Sequence, residues 1–256
     1  MSIAFFDIDG TLLAEPSLER RFFWNSLRQG EIPTKNYLMW LAESLRLARR
    51  GIWPATHANK MYLRGLTPES LHQYFAPSHS LPQFFSAALQ RIWWHSLSGD
   101  SIVLVSGTLS PIAEIVRFAL ERELLWRSVE VTVAVIATQL EVSSGQWTGR
   151  VSGSPMFAES KARAVREFAD AQQVSLSRCS AYADSSLDRW MLASVGHPFA
   201  VNATRRMCTI ARLYGWPMLR WTHCPLRTAG EQRDERFSFK TNFEASILKR
   251  KGEAAG

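Results

Sequence analysis

Two carboxylates stand two residues apart at Asp7 and Asp9, where the apolar run Ile3–Phe6 stops and Gly10-Thr11 follows. Acids placed like this can divide a reaction between them, one attacking an electrophile while the other moves a proton. A calcium loop also opens on Asp-x-Asp. With Asp7 as its first position, however, Leu12 falls where that loop needs glycine and Leu18 where it needs glutamate. An acidic turn closing a strand uses the same residue types, and only the rest of the chain decides against it.

Three further clusters could join the pair. Ser106-Gly107-Thr108 follows the apolar run Ser101–Val105 and leads into a helix with Pro111 in its first turn. A hydroxyl and a glycine amide at such a junction suit an anion. Lys161 stands near the start of a helix expected over 158–171, where a lysine beside Glu159, Arg163 and Arg166 also fits a solvated face. Asp184-Ser185-Ser186-Leu187-Asp188 follows a strand expected over 178–183. Ser185 and Asp188 have capping-box spacing, which accounts for Asp188 but leaves Asp184 at a strand's carboxyl end.

The elements that must position these groups follow from periodicity. Ile3–Phe6 is short and unbroken, as a parallel strand covered on both faces would be. Further strands are expected at 101–105, 129–137, 178–183, 199–202 and 218–221, separated by helices from Ser110, over 158–171 and over 204–214, with a β-hairpin flap at 140–151. The alternation predicts an α/β, Rossmann-like parallel sheet that binds ligands at its strands' carboxyl ends. Between the first two strands the spacing turns helical, with Leu18, Phe22, Phe23 and Leu27 on one helix and Leu38, Leu41, Leu45 and Ala48 on one face of the next. More helix is expected at 55–65, 68–75 and 82–95. The organisation is thus a core of 1–14 and 97–226, a helical cap of 15–96, and a polar tail of 227–256 with an induced helix around 243–248.

Composition narrows the class. An apolar content of 46% and a charged content of 21% are those of a globular chain. No run is long enough to span a membrane and acids interrupt the N-terminus, so a cytoplasmic protein is expected. Cys179, Cys208 and Cys224 lack Cys-x-x-Cys spacing, consistent with reduced thiols. The excess of base is +7, which favours anionic partners without choosing among them. No helix-turn-helix or aromatic-basic motif points to nucleic acid, so no specific nucleic-acid binding is expected. The cap holds five of the ten tryptophans and four of the six histidines, read as packing and surface residues.

The clusters occur in the order Asp7 and Asp9, Ser106 and Gly107, Lys161, Asp184 and Asp188. This series resembles the haloacid dehalogenase-like superfamily, and the insert and the Ala183–Asp188 segment resemble its phosphoserine phosphatase-like branch. The resemblance implies a phosphatase, with Asp7 as nucleophile forming an aspartyl-phosphate and Asp9 as general acid and base. It implies Mg²⁺ held by Asp7, Asp184 and the main-chain carbonyl of Asp9, with Asp188 fixing a metal-bound water. Ser106, the Gly107 amide and Lys161 would then bind phosphoryl oxygens. Dehalogenases of the superfamily lack the second acid and the metal, and its ion pumps carry lysine at the position of Ile8. The substrate implied is a small organic phosphate. Phosphoserine phosphatases receive the substrate ammonium on an acid early in the insert, where Glu15 and Glu19 stand here.

Two other readings remain at this stage. The basic amphipathic stretch from Lys35 to Trp53 could rest on anionic lipid, making peripheral membrane contact and admitting a lipid-linked phosphate; otherwise it is a bundle helix with solvated arginines. A catalytically silent binding protein on the same fold is the other.

Overall fold

The computed structural model describes residues 2–49, 59–67, 71 and 82–222. The expected helix at 68–75, apart from Leu71, lies outside these residues, as do Trp53, Cys224, the tail over 227–256 and its helix at 243–248.

Strand β1 (Ile3–Phe6) is buried at every position. Its alternate side chains serve two cores, Ala4 and Phe6 on one face of the sheet, Ile3 and Phe5 on the other. That double burial explains why the run is apolar without alternation. Strand β1 pairs in parallel with β2 (Ser101–Leu109) on one side and β6 (Ser180–Ala183) on the other. The six-stranded order is β3-β2-β1-β6-β7-β8, with β3 at Val133–Thr138, β7 at His197–Val201 and β8 at Met218–Leu219. The chain builds outward from β1 one way, then returns to build the other way, so β1 and β6 flank the switch point where such sheets bind ligands. Phe6 is opposite Leu104 and Tyr182, which brings Asp7, Ser106 and Asp184 to the same end of three adjacent strands.

The helices stand close to their expected places, except that the described part of the helix expected at 55–65 holds only a 3₁₀ turn, Met61–Leu63. They are α1 (Leu18–Gln29), α2 (Thr34–Ala48), α3 (Ser86–Leu97), α4 (Ser110–Trp126), α5 (Glu159–Ala171), α6 (Arg189–Ala193) and α7 (Arg205–Tyr214). Ser17 caps α1 through Arg20 N–H, and Gly30 ends it in the left-handed conformation. A hairpin of β4 (Leu140–Ser143) and β5 (Gln146–Val151) follows β3. It is stitched to the turn after the short 3₁₀ helix Met61–Leu63, Gly65 N–H donating to Trp147 O and Trp147 N–H to Leu66 O.

Two strand expectations need correction. Strand β2 runs on through Ser106-Gly107-Thr108 to Leu109, shifting register against β3 between Ser106 and Leu109. Strand β3 starts at Val133 rather than 129, because its partner residue Ile102 lies next to the start of β2 and Val129 N–H is taken by Leu124 O at the end of α4. The sequence left open which way the leucine face of α2 looks. Leu38, Leu41 and Leu45 point outward, 67%, 50% and 67% exposed. The inward face carries Asn36, whose amide donates to the carbonyls of Tyr62 and Arg64, and Tyr37 and Trp40, which pack with Tyr62 around Phe23. Buried backbone carbonyls must be satisfied, and this requirement sets the helix's rotation.

Below the site, Tyr182 stacks between Phe6 and Phe199, tying three strands together. Its hydroxyl meets Nε2 of His95 at 2.8 Å, and His95 Nδ1 meets Asp100 at 2.8 Å. Burial, against the pull of Asp100, lowers the His95 pKa, so the neutral ring donates from Nδ1 and accepts at Nε2. Tyr182→Phe would keep the stack and orphan that buried nitrogen. We expect it to lower stability by about 1–3 kcal/mol in urea unfolding, and an unchanged midpoint would show that the bond contributes nothing.

Candidate active site

Asp7 follows β1 directly, and its N–H donates to Tyr182 O on β6. The chain then doubles back tightly, the Leu12 and Leu13 amides both reaching Ile8 O and Gly10 N–H reaching Leu13 O. Gly10 has a φ of +79°, and a Cβ there would lie 2.5 Å from Asp184 Oδ2. Glycine is therefore required twice, by the backbone and by the carboxylate against it. Asn202, at the end of β7, donates to Gly10 O at 3.4 Å while its own oxygen accepts Trp221 N–H at 2.8 Å.

Lys161 is no solvated residue. It is 3% exposed, and its ammonium bonds Asp7 Oδ1 at 2.5 Å and Asp188 Oδ1 at 2.8 Å. Placement in the first turn of α5 aims it at the end of β1. The capping reading holds for Ser185, whose hydroxyl accepts Leu187 N–H, but Asp188 is used on Lys161. Thr11 Oγ1 donates to Asp7 Oδ2 at 3.3 Å.

Oxygens of Asp7, Asp184 and Asp188 lie within 4.8 Å of one another. The charge is lopsided, and the acids register it. Burial, outweighing Lys161 and reinforced by Asp188, pushes Asp7 up to about 6. Burial, then Asp7 and the cap acids Glu15 and Glu19, pushes Asp9 up to about 8. Asp184 likewise rises to about 8, through burial and repulsion by Asp7 and Asp188. Burial alone would lower Lys161, but Asp188 and Asp7 hold its pKa above the usual value. Hard oxygen donors crowded until they retain protons fit a divalent cation such as Mg²⁺, which would discharge them.

On β2, Ser106 is buried and its Oγ accepts Thr108 N–H at 3.1 Å. Gly107 O accepts from Thr138 Oγ1 at 2.8 Å, and a Cβ on Gly107 would come within 3.2 Å of Met156 O. Thr108 Oγ1 is buried with no hydrogen-bond partner among the described residues. Thr108 was read from sequence only as a neighbour of Ser106 and Gly107, and Asn202 was given no role; each stands near a strand's carboxyl end, the one signal that could have marked them.

An acid pair after the central strand, a buried lysine and a second acid pair after the neighbouring strand make this a Rossmann-like α/β hydrolase centre. The chain belongs to the haloacid dehalogenase-like hydrolase family, whose model matches residues 4–193. It is 30% identical over 236 residues to a probable phosphatase of Mycobacterium tuberculosis, covering 84% of this chain and 74% of that protein. A Bordetella pertussis Tohama I protein of unknown function superposes with a TM-score of 0.64 at 25% identity, over 85% of this chain and 97% of that one. Phosphoserine phosphatase in its apo form shares the fold at a TM-score of 0.56 and 16% identity, over 86% of this chain and 92% of its own.

A carboxyl at 3.8 when unfolded and about 8 in the fold favours folding fully below the lower value, progressively less as pH rises between the two, with no further loss once pH has passed the upper one. We expect the metal-free chain to lose thermal stability from about pH 6 to about pH 9. Mg²⁺ should restore more of it at the higher pH, where no proton competes for Asp184. A Tm increment from Mg²⁺ that is the same at both ends would count against a cation on these acids.

Proposed function

We propose that this chain is a Mg²⁺-dependent phosphatase that hydrolyses a small organic phosphate monoester through an aspartyl-phosphate on Asp7. The observation that carries the reading is the convergence of Lys161, Asp184 and Asp188 on Asp7, with Asp9 next but one and held protonated at neutral pH. The probable phosphatase among its relatives supports it.

In this reading Asp7 attacks phosphorus and the bond to the ester oxygen breaks. Asp9 gives its proton to the departing alcohol, then as a carboxylate takes one from the water that cleaves the aspartyl-phosphate. Ser106, the Gly107 amide and Lys161 hold the phosphoryl oxygens, their donors aimed where charge develops. Mg²⁺ on Asp7, Asp184 and the main-chain carbonyl of Asp9 would supply the charge neutralisation that lets two anions meet. Asp188, already on Lys161, would keep that ammonium in place and accept from a metal-bound water. Residues 15–96 act as the cap that excludes water from a core of 1–14 and 97–226. The free thiols of Cys179 and Cys208 suit a reducing, cytoplasmic setting.

The cap also bears on the leaving group. Glu15 and Glu19 both reach Asp9 electrostatically, and the half-buried Glu19 is already engaged: the Lys60 ammonium and the Tyr62 hydroxyl both bond its Oε1. Glu15 is exposed and accepts Ser17 N–H. An internal ammonium thus stands where an amino substrate would need an unoccupied carboxylate, and the substrate class is a phosphate ester without an ammonium group.

Hydrolysis of para-nitrophenyl phosphate with Mg²⁺ tests the chemistry. Asp7→Asn and EDTA should each abolish it, and Asp9→Asn should lower kcat about 10²–10⁴-fold. Full activity in Asp7→Asn would end the proposal. Selectivity is tested apart: Lys60→Met should raise the kcat/KM ratio of phosphoserine to glycerol phosphate by about tenfold or more, and an unmoved ratio would place Glu19 out of the leaving group's reach.

A further inference from the structure

We propose that the outer face of α2 is a docking surface that seats this chain on an anionic lipid bilayer. The face is composed as an interfacial helix would be. Leu38, Leu41 and Leu45 form one outward stripe at helical spacing, joined by Ala48, and Lys35, Arg46 and Arg49 are exposed along one flank of it. The only acid of the helix, Glu43, lies off the stripe and is spent on Arg46, at 2.6 and 2.7 Å. An amphipathic helix that joins a leucine face to a basic flank sinks its apolar side chains among acyl chains while its cations meet lipid phosphates.

The leucines cannot turn inward instead. Asn36 bonds two backbone carbonyls of the segment 62–64. On the same side Asn59 Nδ2 bonds Trp40 O and Ser44 Oγ, both at 2.7 Å. These bonds hold the polar side of α2 against the molecule, so the apolar side must face out. A stripe of large aliphatic side chains kept in water by an internal hydrogen-bond network marks a surface meant to be covered.

Charge decides what covers it. A second copy of this chain would bring Lys35 of one helix against Arg49 of the other in a two-fold pairing, with a net charge of +7 on each molecule. An anionic bilayer offers an apolar layer beneath a sheet of negative charge, complementary to the stripe and to its flank.

Co-sedimentation of the full chain with phosphatidylcholine vesicles, with and without phosphatidylglycerol, tests this at low and high salt. The expected result is binding only to the phosphatidylglycerol vesicles, weakened by salt. Leu38→Ser with Leu45→Ser should weaken it about tenfold or more, and Lys35→Glu with Arg49→Glu should remove both binding and salt dependence. All four positions are exposed, and circular dichroism of each variant checks that the fold persists. Absence of wild-type binding at low salt would overturn the proposal, as would leucine variants that bind like wild type. So would sedimentation equilibrium showing a wild-type dimer that the leucine substitutions dissolve.

Discussion

One buried ammonium carries the charge balance of the site. Among the four acids at the ends of β1 and β6, Lys161 bonds two, Asp7 and Asp188. A buried charge is tolerated only when paired, and here one cation serves a crowd of anions. The arrangement is thus left short of positive charge by design of its residue types. Burial first, and then repulsion among the acids, raises the pKa values of Asp7, Asp9 and Asp184, and a divalent cation is the natural complement of such a site.

Topology makes the crowd affordable to assemble. Two acids come from β1 and two from the end of β6, strands adjacent in space but more than 170 residues apart in sequence. Their placement rests on backbone pairing below: Phe6 against Tyr182 and Leu104, then the aromatic stack through Phe199. The apolar cluster on that face also takes in Leu18, Phe22, Tyr62 and Ile92, so the inserted helices and the sheet share one core. Gly10, at a φ of +79°, lets the chain turn away under Asp184.

Much of this was legible in the sequence, for physical reasons. Doubly buried strands are short apolar runs, and their carboxyl ends announce themselves by the polar residue that follows; Asp7, Ser106 and Asp184 were all readable this way. Lys161 was ambiguous because a helix-face lysine looks the same whether it meets water or a carboxylate 154 residues away. Asp188 had a local role available, as a cap, and a distant partner claimed it. The rotation of α2 was hidden for a different reason: periodicity locates an apolar face but does not say where it points, and here two asparagines outweighed three leucines. Lys60 beside Glu19 was invisible, since the pair joins residues 41 apart.

The stitch between the β4–β5 hairpin and the turn after Met61–Leu63 has a mechanical consequence. Two backbone hydrogen bonds through Trp147, and Gly149 packed so closely that a Cβ would lie 2.8 Å from Met61 Cα, make these segments one piece. One belongs to the insert before β2 and the other to the excursion after β3, yet neither can swing without the other. Any displacement of one segment is therefore transmitted to the other through Trp147 and Gly149.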